Sequence, residues 1–251
     1  MRTTTLIDVD NTLIDNDRAK GVMDDELAAL LGADGAARFW AAYEEVRAEL
    51  TVVDVPRSIV RFLDNEEDRS GGRPWPPSRG DAGVSGPRGG RDRLALHEPL
   101  AALFMAFPFA DFVYPAALST IAALRAQGPV VILSDGDQVF QPAKINRSGL
   151  TAAVDGYVLV FPHKEDHLAE VAAAFPADRF RLVEDKPAVI ERVAAKAAAL
   201  GGAPLETILV RQGKYAAAVP PGPWPGATHT VAGIADVPSV IGIDNLPNGP
   251  S

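Results

Sequence analysis

The chain has 251 residues, a formal net charge of -9 at pH 7 and 47% hydrophobic residues, enough for one good-sized core or a core plus a smaller appended domain. The acidic balance excludes a general attraction to nucleic acid or anionic lipid, although a local cation can still make one cleft receptive to an anion. With no cysteine, disulfides, thiolate metal sites and cysteine nucleophiles are excluded.

In chain order, Leu6-Ile7-Asp8-Val9-Asp10 reads as a short β-type run ending in acidic residues. From about 17 to 112 no strand pattern is seen, but Phe39, Tyr43, Val46 and Leu50 recur at helical spacing, and 58–63 and 94–107 predict two more helices. Within this block, 65–93 is crowded with Gly, Pro and Arg and reads as a mobile loop. A helix is predicted at 116–127, stopped by Gly128-Pro129, then a buried strand at 130–133. Further strands are expected at 157–160, 181–184 and 207–210, with helices at 168–175 and 187–200, the latter opened by Pro187 and closed by Gly201-Gly202. A final edge strand at 228–231 and a short helix at 237–241 complete the pattern. Strands alternating with helices predict an α/β, Rossmann-like parallel sheet. Residues 1–15 and 115–251 form its core domain, and 16–114 an inserted helical cap domain. The N-terminus has no long apolar stretch, and no window approaches the roughly 18 apolar residues that cross a bilayer. A cytoplasmic protein with no membrane or nucleic-acid partner is expected.

Four short motifs carry chemistry. Asp8-Val9-Asp10-Asn11-Thr12 follows the first strand, where functional residues of a parallel sheet collect. If the chain turns after Asp8, both carboxylates face one cleft, and a cation or a proton must relieve their repulsion; magnesium suits such an all-oxygen site. An acidic turn capping a helix is the alternative. Ser134-Asp135-Gly136-Asp137 follows the strand at 130–133 and offers a hydroxyl and turn amides to phosphate oxygens, or else an ordinary cap and turn. Lys164 can neutralise phosphate and nucleophile together. Glu184-Asp185-Lys186-Pro187 ends one strand and opens a helix, so its acids can complete a magnesium site or act as caps.

Together, in this order, the four motifs resemble the haloacid dehalogenase-like hydrolase superfamily, and the chain looks like a phosphatase-type member with a helical cap. The resemblance covers roughly 1–15 and 115–215. It implies that Asp8 attacks phosphorus, that Asp10 protonates the leaving oxygen and then activates water, and that Lys164 stabilises the charge. Thr12, Ser134, Asp135, Gly136 and Lys164 would face the substrate phosphate. Asp8, Asp10 (through its carbonyl), Asp185 and the accessory Glu184 would hold Mg2+. The cap would close over a small phosphorylated substrate. The resemblance further implies that true dehalogenases lack the second aspartate, so Asp10 favours phosphoryl transfer. A phosphomutase using the same nucleophile and a non-catalytic binding protein are the rivals. Two departures stand out: Glu184-Asp185 replaces the common pair of aspartates, and Val189 is not an acid.

Weaker candidates lie nearby. His163 and His167, four apart, could share a helix face and a metal, but no third ligand is evident and they read as a satisfied surface pair beside Lys164. Lys144 could compete with Lys164 but reads as a helix-surface charge. Asp135 and Asp137 suit local turn bonding. Residues 211–214 either bind an anion or end a strand. Trp40 and Tyr43 read as core packing.

Overall fold

The computed structural model describes residues 2–70 and 89–243. Six strands form one parallel sheet: β1 (Thr3–Ile7), β2 (Val130–Asp135), β3 (Val158–Phe161), β4 (Arg179–Glu184), β5 (Leu205–Val210) and β6 (His229–Val231), in the order β3-β2-β1-β4-β5-β6. All five residues of β1 are buried. Its threonines, Leu6 and Ile7 pack well on a pleated surface, and a central parallel strand covered on both faces carries no polar alternation. Leu6 pairs with Val131 of β2 and Leu182 of β4.

The chain runs from β1 outward through β2 and β3, then returns to β4 on the other side of β1. The connections leaving the carboxyl ends of the strands therefore diverge around β1, which opens a crevice there. This topology positions the site.

The chain divides into two compact units, Met1–Lys20 with Pro108–Ser251, and Gly21–Phe107. In the first, α5 (Ala117–Arg125), α6 (Phe140–Arg147), α7 (Leu150–Ala153), α8 (Leu168–Ala174), α9 (Pro187–Ala195) and α10 (Val237–Val240) accompany the sheet. One buried cluster joins Leu6, Val131, Leu133 and Leu182 to Leu168, Val171, Ile190 and Val193. The helix expected over 187–200 ends at Ala195 and continues as a 3₁₀ turn, Ala197–Leu200, before Gly201 at φ 71°.

The second unit holds most of α1 (Asn16–Leu31), with α2 (Ala33–Leu50), α3 (Val55–Ser70) and α4 (Gly89–Ala106). Phe39 is its anchor, with ring centroids 5.6 Å from Phe62 and 5.4 Å from Phe104. Trp40 and Tyr43, expected in the core, instead meet edge to face at its half-buried margin, with Trp40 Nε1 donating to Asp24. The helix expected at 58–63 runs on to Ser70. Its polar end is held because Glu66, 5% exposed, accepts two bonds from Arg38 at 2.6 and 2.8 Å, a bidentate pair. Of the loop expected at 65–93, the first residues thus belong to α3 and the last to α4, and 71–88 lie outside the described residues. Among the described residues, no helix is long and apolar enough to cross a membrane.

Candidate active site

The turn after β1 is built by Asn11. It adopts φ 61°, a left-handed conformation that asparagine tolerates better than most residues. The Val9 carbonyl then accepts from the amides of Leu13 and Ile14 at 2.9 and 3.0 Å. The Asn11 side chain accepts from the amides of Asn16 and Asp17 at 3.0 and 3.2 Å, which starts α1. Gly213, at φ 64°, presses on this side chain so closely that a Cβ there would collide with its Cγ. The turn holds Asp8 and Asp10 at the carboxyl end of the sheet, among side chains from β2, β4 and α6.

Lys164 is fully buried. Its ammonium donates to Asp8 Oδ1 at 2.7 Å, Glu184 Oε2 at 2.6 Å and the Leu133 carbonyl at 3.2 Å, so all three protons are used. Its own amide donates to Asp135 Oδ1 at 2.8 Å, which fixes the start of the turn carrying it. Burial alone would depress the Lys164 ammonium, but Asp8, Glu184 and Asp135 outweigh it and hold the group well above the usual lysine range. Glu184 Oε1 accepts from the amides of Asp185 and Lys186, both at 3.1 Å, and both carboxylate oxygens are thereby occupied.

Other oxygens are not. Asp8 Oδ2, both carboxylate oxygens of Asp185 and Thr12 Oγ1 are buried without a hydrogen-bond partner. A buried carboxylate oxygen in that state is costly unless a cation or a proton meets it. Burial and the neighbouring Glu184 push Asp8 up to about 6 and Asp185 up to about 10. Ligand atoms of Asp8, Glu184 and Asp185 lie within 4.8 Å of one another. A small divalent cation with oxygen ligands fits this donor set, and the unpartnered oxygens identify Asp8 and Asp185 as the residues that would hold it. Glu184 is engaged by Lys164 and by two amides.

A second cation serves Asp10. Lys144 pairs with Asp10 Oδ1 and donates to Asn16 Oδ1 at 2.7 Å, 5.0 Å above the Phe109 ring. It is 8% exposed, which corrects its reading as a surface charge. Gln141 Nε2 lies 3.3 Å from Asp10 Oδ2 and 2.9 Å from Ser134 Oγ. Gln141 and Lys144 are three apart on α6 and therefore share a face. Just before that helix, Asp137 accepts from the amides of Val139 and Phe140 at 2.8 and 2.7 Å. Burial would raise Asp10, but Lys144 and Lys186 hold its carboxyl below the usual range. Lys186 lies 5.6 Å from the Tyr215 ring centroid and feels the charges of Asp8, Glu184 and Asp185.

Of the residues expected from sequence, the structure thus brings Asp8, Asp10, Ser134, Lys164, Glu184 and Asp185 together, with the unpartnered hydroxyl of Thr12 on the same turn. Gly136 and Asp135 are engaged by neighbouring backbone groups. The Gly136 amide donates to the Phe161 carbonyl at 3.0 Å, and Asp135 is turned to the Lys164 amide. Glycine is needed at 136 because a Cβ would come within 2.8 Å of Gln141. The histidine pair is placed as locally satisfied side chains rather than as a metal pair. A single 3₁₀ turn separates the two residues, His167 stacks on Phe161 at 4.0 Å and bonds Glu170 at 2.7 Å, and neither belongs to the acidic group. Arg211 clasps the carbonyls of Val219, Pro220 and Gly222, so it orders its own loop. Sequence reasoning missed Gln141, Lys186 and the role of Lys144; the i, i+3 spacing of Gln141 and Lys144 was the available signal.

No family model matches the chain, and no curated protein matches it. Among solved structures, a haloacid dehalogenase-like hydrolase from Burkholderia xenovorans is 34% identical, covering 94% of this chain and 94% of its own, with a TM-score of 0.73. A HAD-hydrolase from Bacillus subtilis bound to magnesium is 14% identical, covers 97% of this chain and 99% of its own, and has a TM-score of 0.58. An L-2-haloacid dehalogenase from Xanthobacter autotrophicus is 16% identical over 98% and 100%, with a TM-score of 0.57. At those identities the last two share the fold with this chain.

Proposed function

The chain belongs to the haloacid dehalogenase-like hydrolases, and from that premise we propose that it is a magnesium-dependent phosphatase cleaving a small phosphate monoester through an aspartyl-phosphate on Asp8. The observation that carries this reading is Asp10, a carboxylate two residues past the nucleophile whose two oxygens are set by Lys144 and Gln141. A leaving alkoxide needs a proton and the attacking water must lose one, so a positioned carboxylate serves both steps. A leaving halide needs no proton.

Asp8 attacks phosphorus as the phosphorus–oxygen ester bond breaks, and the proton of the substrate phosphate monoanion reaches the leaving oxygen through Asp10, which is ionised beside Lys144 in the free protein. Water then attacks the phosphoryl group and passes a proton to Asp10, releasing phosphate and the Asp8 carboxylate. Lys164 orients Asp8 through Oδ1 and offsets its charge. Ser134 Oγ accepts from Gln141 and donates a long bond, 3.5 Å, to the Asp135 carbonyl, which a phosphoryl oxygen would replace; the unpartnered Thr12 hydroxyl can donate to the same group. Magnesium, held by Asp8, Asp185 and the Asp10 carbonyl, would neutralise charge on the transferring group.

The test is p-nitrophenol release from p-nitrophenyl phosphate. Magnesium-dependent turnover that is abolished by EDTA and by Asp8→Asn supports the reading. Turnover indifferent to both, or none from folded wild type with magnesium, counts against it.

A further inference from the structure

Asp10 is gripped from one side by a single helical face. Lys144 and Gln141 of α6 reach its two carboxylate oxygens, and the same Gln141 amide reaches Ser134 Oγ. Both side chains are about nine-tenths buried. A lysine buried to that degree costs free energy unless paired, and here its partners are Asp10 and Asn16, with the Phe109 ring beneath it. Gly136 lacks the Cβ that would push Gln141 away, and Asp137 accepts from two amides at the start of this helix. Four separate local features thus converge on holding one carboxylate, while the nucleophile has its own lysine.

We propose that Gln141 and Lys144 are positioning residues for the dephosphorylation step, fixing the Asp10 carboxylate where it receives the proton of the attacking water. This rests on the phosphatase reading. In that step the water oxygen forms a bond to phosphorus, the bond from phosphorus to the Asp8 oxygen breaks, and the water proton passes to Asp10. Gln141 also ties the position of Asp10 to that of Ser134, so the group that would receive the water proton and a group that would hold the phosphoryl oxygens move as one.

p-Nitrophenyl phosphate isolates the step, because p-nitrophenolate departs without needing a proton. Wild type, Lys144→Met, Lys144→Arg and Gln141→Met are mixed with this ester and magnesium, acid-quenched at steady state, and assayed for turnover and for phosphoryl on the Asp8 peptide. The expected result in Lys144→Met and Gln141→Met is a fall in kcat of about 10- to 100-fold, at or below the full value of a general base. KM falls rather than rises, and the phosphorylated fraction increases. Lys144→Arg, which keeps a donor to Asp10, recovers part of kcat. A merely structural role lowers kcat without build-up of phosphoenzyme, and that outcome overturns the inference, as does unchanged kcat in both variants. Absence of turnover in the wild type overturns the phosphatase reading and this inference together, whereas wild-type turnover without build-up in the variants overturns the inference alone.

Discussion

Consider Asp185→Asn in protein freed of divalent metal by EDTA. Asp185 is 1% exposed, neither of its carboxylate oxygens has a hydrogen-bond partner, and burial with Glu184 pushes its carboxyl from the ordinary 3.8 up to about 10. Between those values the folded protein binds a proton that the unfolded chain has lost, so stability falls as pH rises, by about 1.4 kcal/mol per pH unit. At pH 7 the accumulated loss from this one group is of order 4 kcal/mol. Asp8, raised to about 6, adds a smaller loss over the lower part of the range. Asparagine removes the titration but buries an amide of its own, at about 1–3 kcal/mol. Asp185→Asn is therefore expected to stabilise the metal-free protein at pH 7 by roughly 1–3 kcal/mol and to flatten its stability between pH 5 and 8. Magnesium reverses the order, because a ligand bound only by the folded state stabilises it in proportion to occupancy, and the variant has lost a ligand. Urea unfolding across that pH range, with EDTA and with magnesium, measures both effects. A wild type whose metal-free stability is flat with pH, or a variant that gains as much from magnesium as wild type, would refute the reasoning.

Two further outcomes follow from packing. Gly213→Ala drives a Cβ into the Asn11 side chain at a position of φ 64°, so it is expected to cost at least about 1–3 kcal/mol and to lower turnover by displacing the turn that carries Asp10; equal stability and kcat would contradict this. Phe39→Ala removes the ring against which Phe62 and Phe104 pack and is expected to cost about 3–5 kcal/mol in urea unfolding; a loss below about 1 kcal/mol would show that Phe39 is not the anchor.

The strands were legible because buried parallel strands read as short apolar runs between turn signals. The 130–133, 181–184 and 207–210 runs lie within β2, β4 and β5, which are extended by Ser134-Asp135, Arg179-Phe180 and Leu205-Glu206, where polar residues continue the ladder. The reach of α3 was less legible: 65–70 looks like loop in composition, and the pairing of its Glu66 with Arg38, 28 residues away, cannot be read from local sequence. In the site, the places of Asp8, Asp10, Ser134, Lys164 and Asp185 were legible because each lies at or just past the carboxyl end of a strand. Lys144 was not. Its partner Asp10 is 134 residues distant, and a lysine on a short polar helix looks solvated until the fold turns that face inward. The engagement of the Gly136 amide was not legible for a related reason: which turn amide is taken depends on the neighbouring strand, and β3 takes that one through Phe161.

Everything proposed for the reaction turns on Asp8 carrying the phosphoryl group. Acid quench of wild type during steady-state turnover of p-nitrophenyl phosphate with magnesium, followed by peptide mass spectrometry, tests it most directly. A phosphoryl group is expected on the peptide containing Asp8, at Asp8 itself, and none in EDTA or in Asp8→Asn. Sustained magnesium-dependent turnover with Asp8 unmodified, or with the phosphoryl group on another residue, would contradict it.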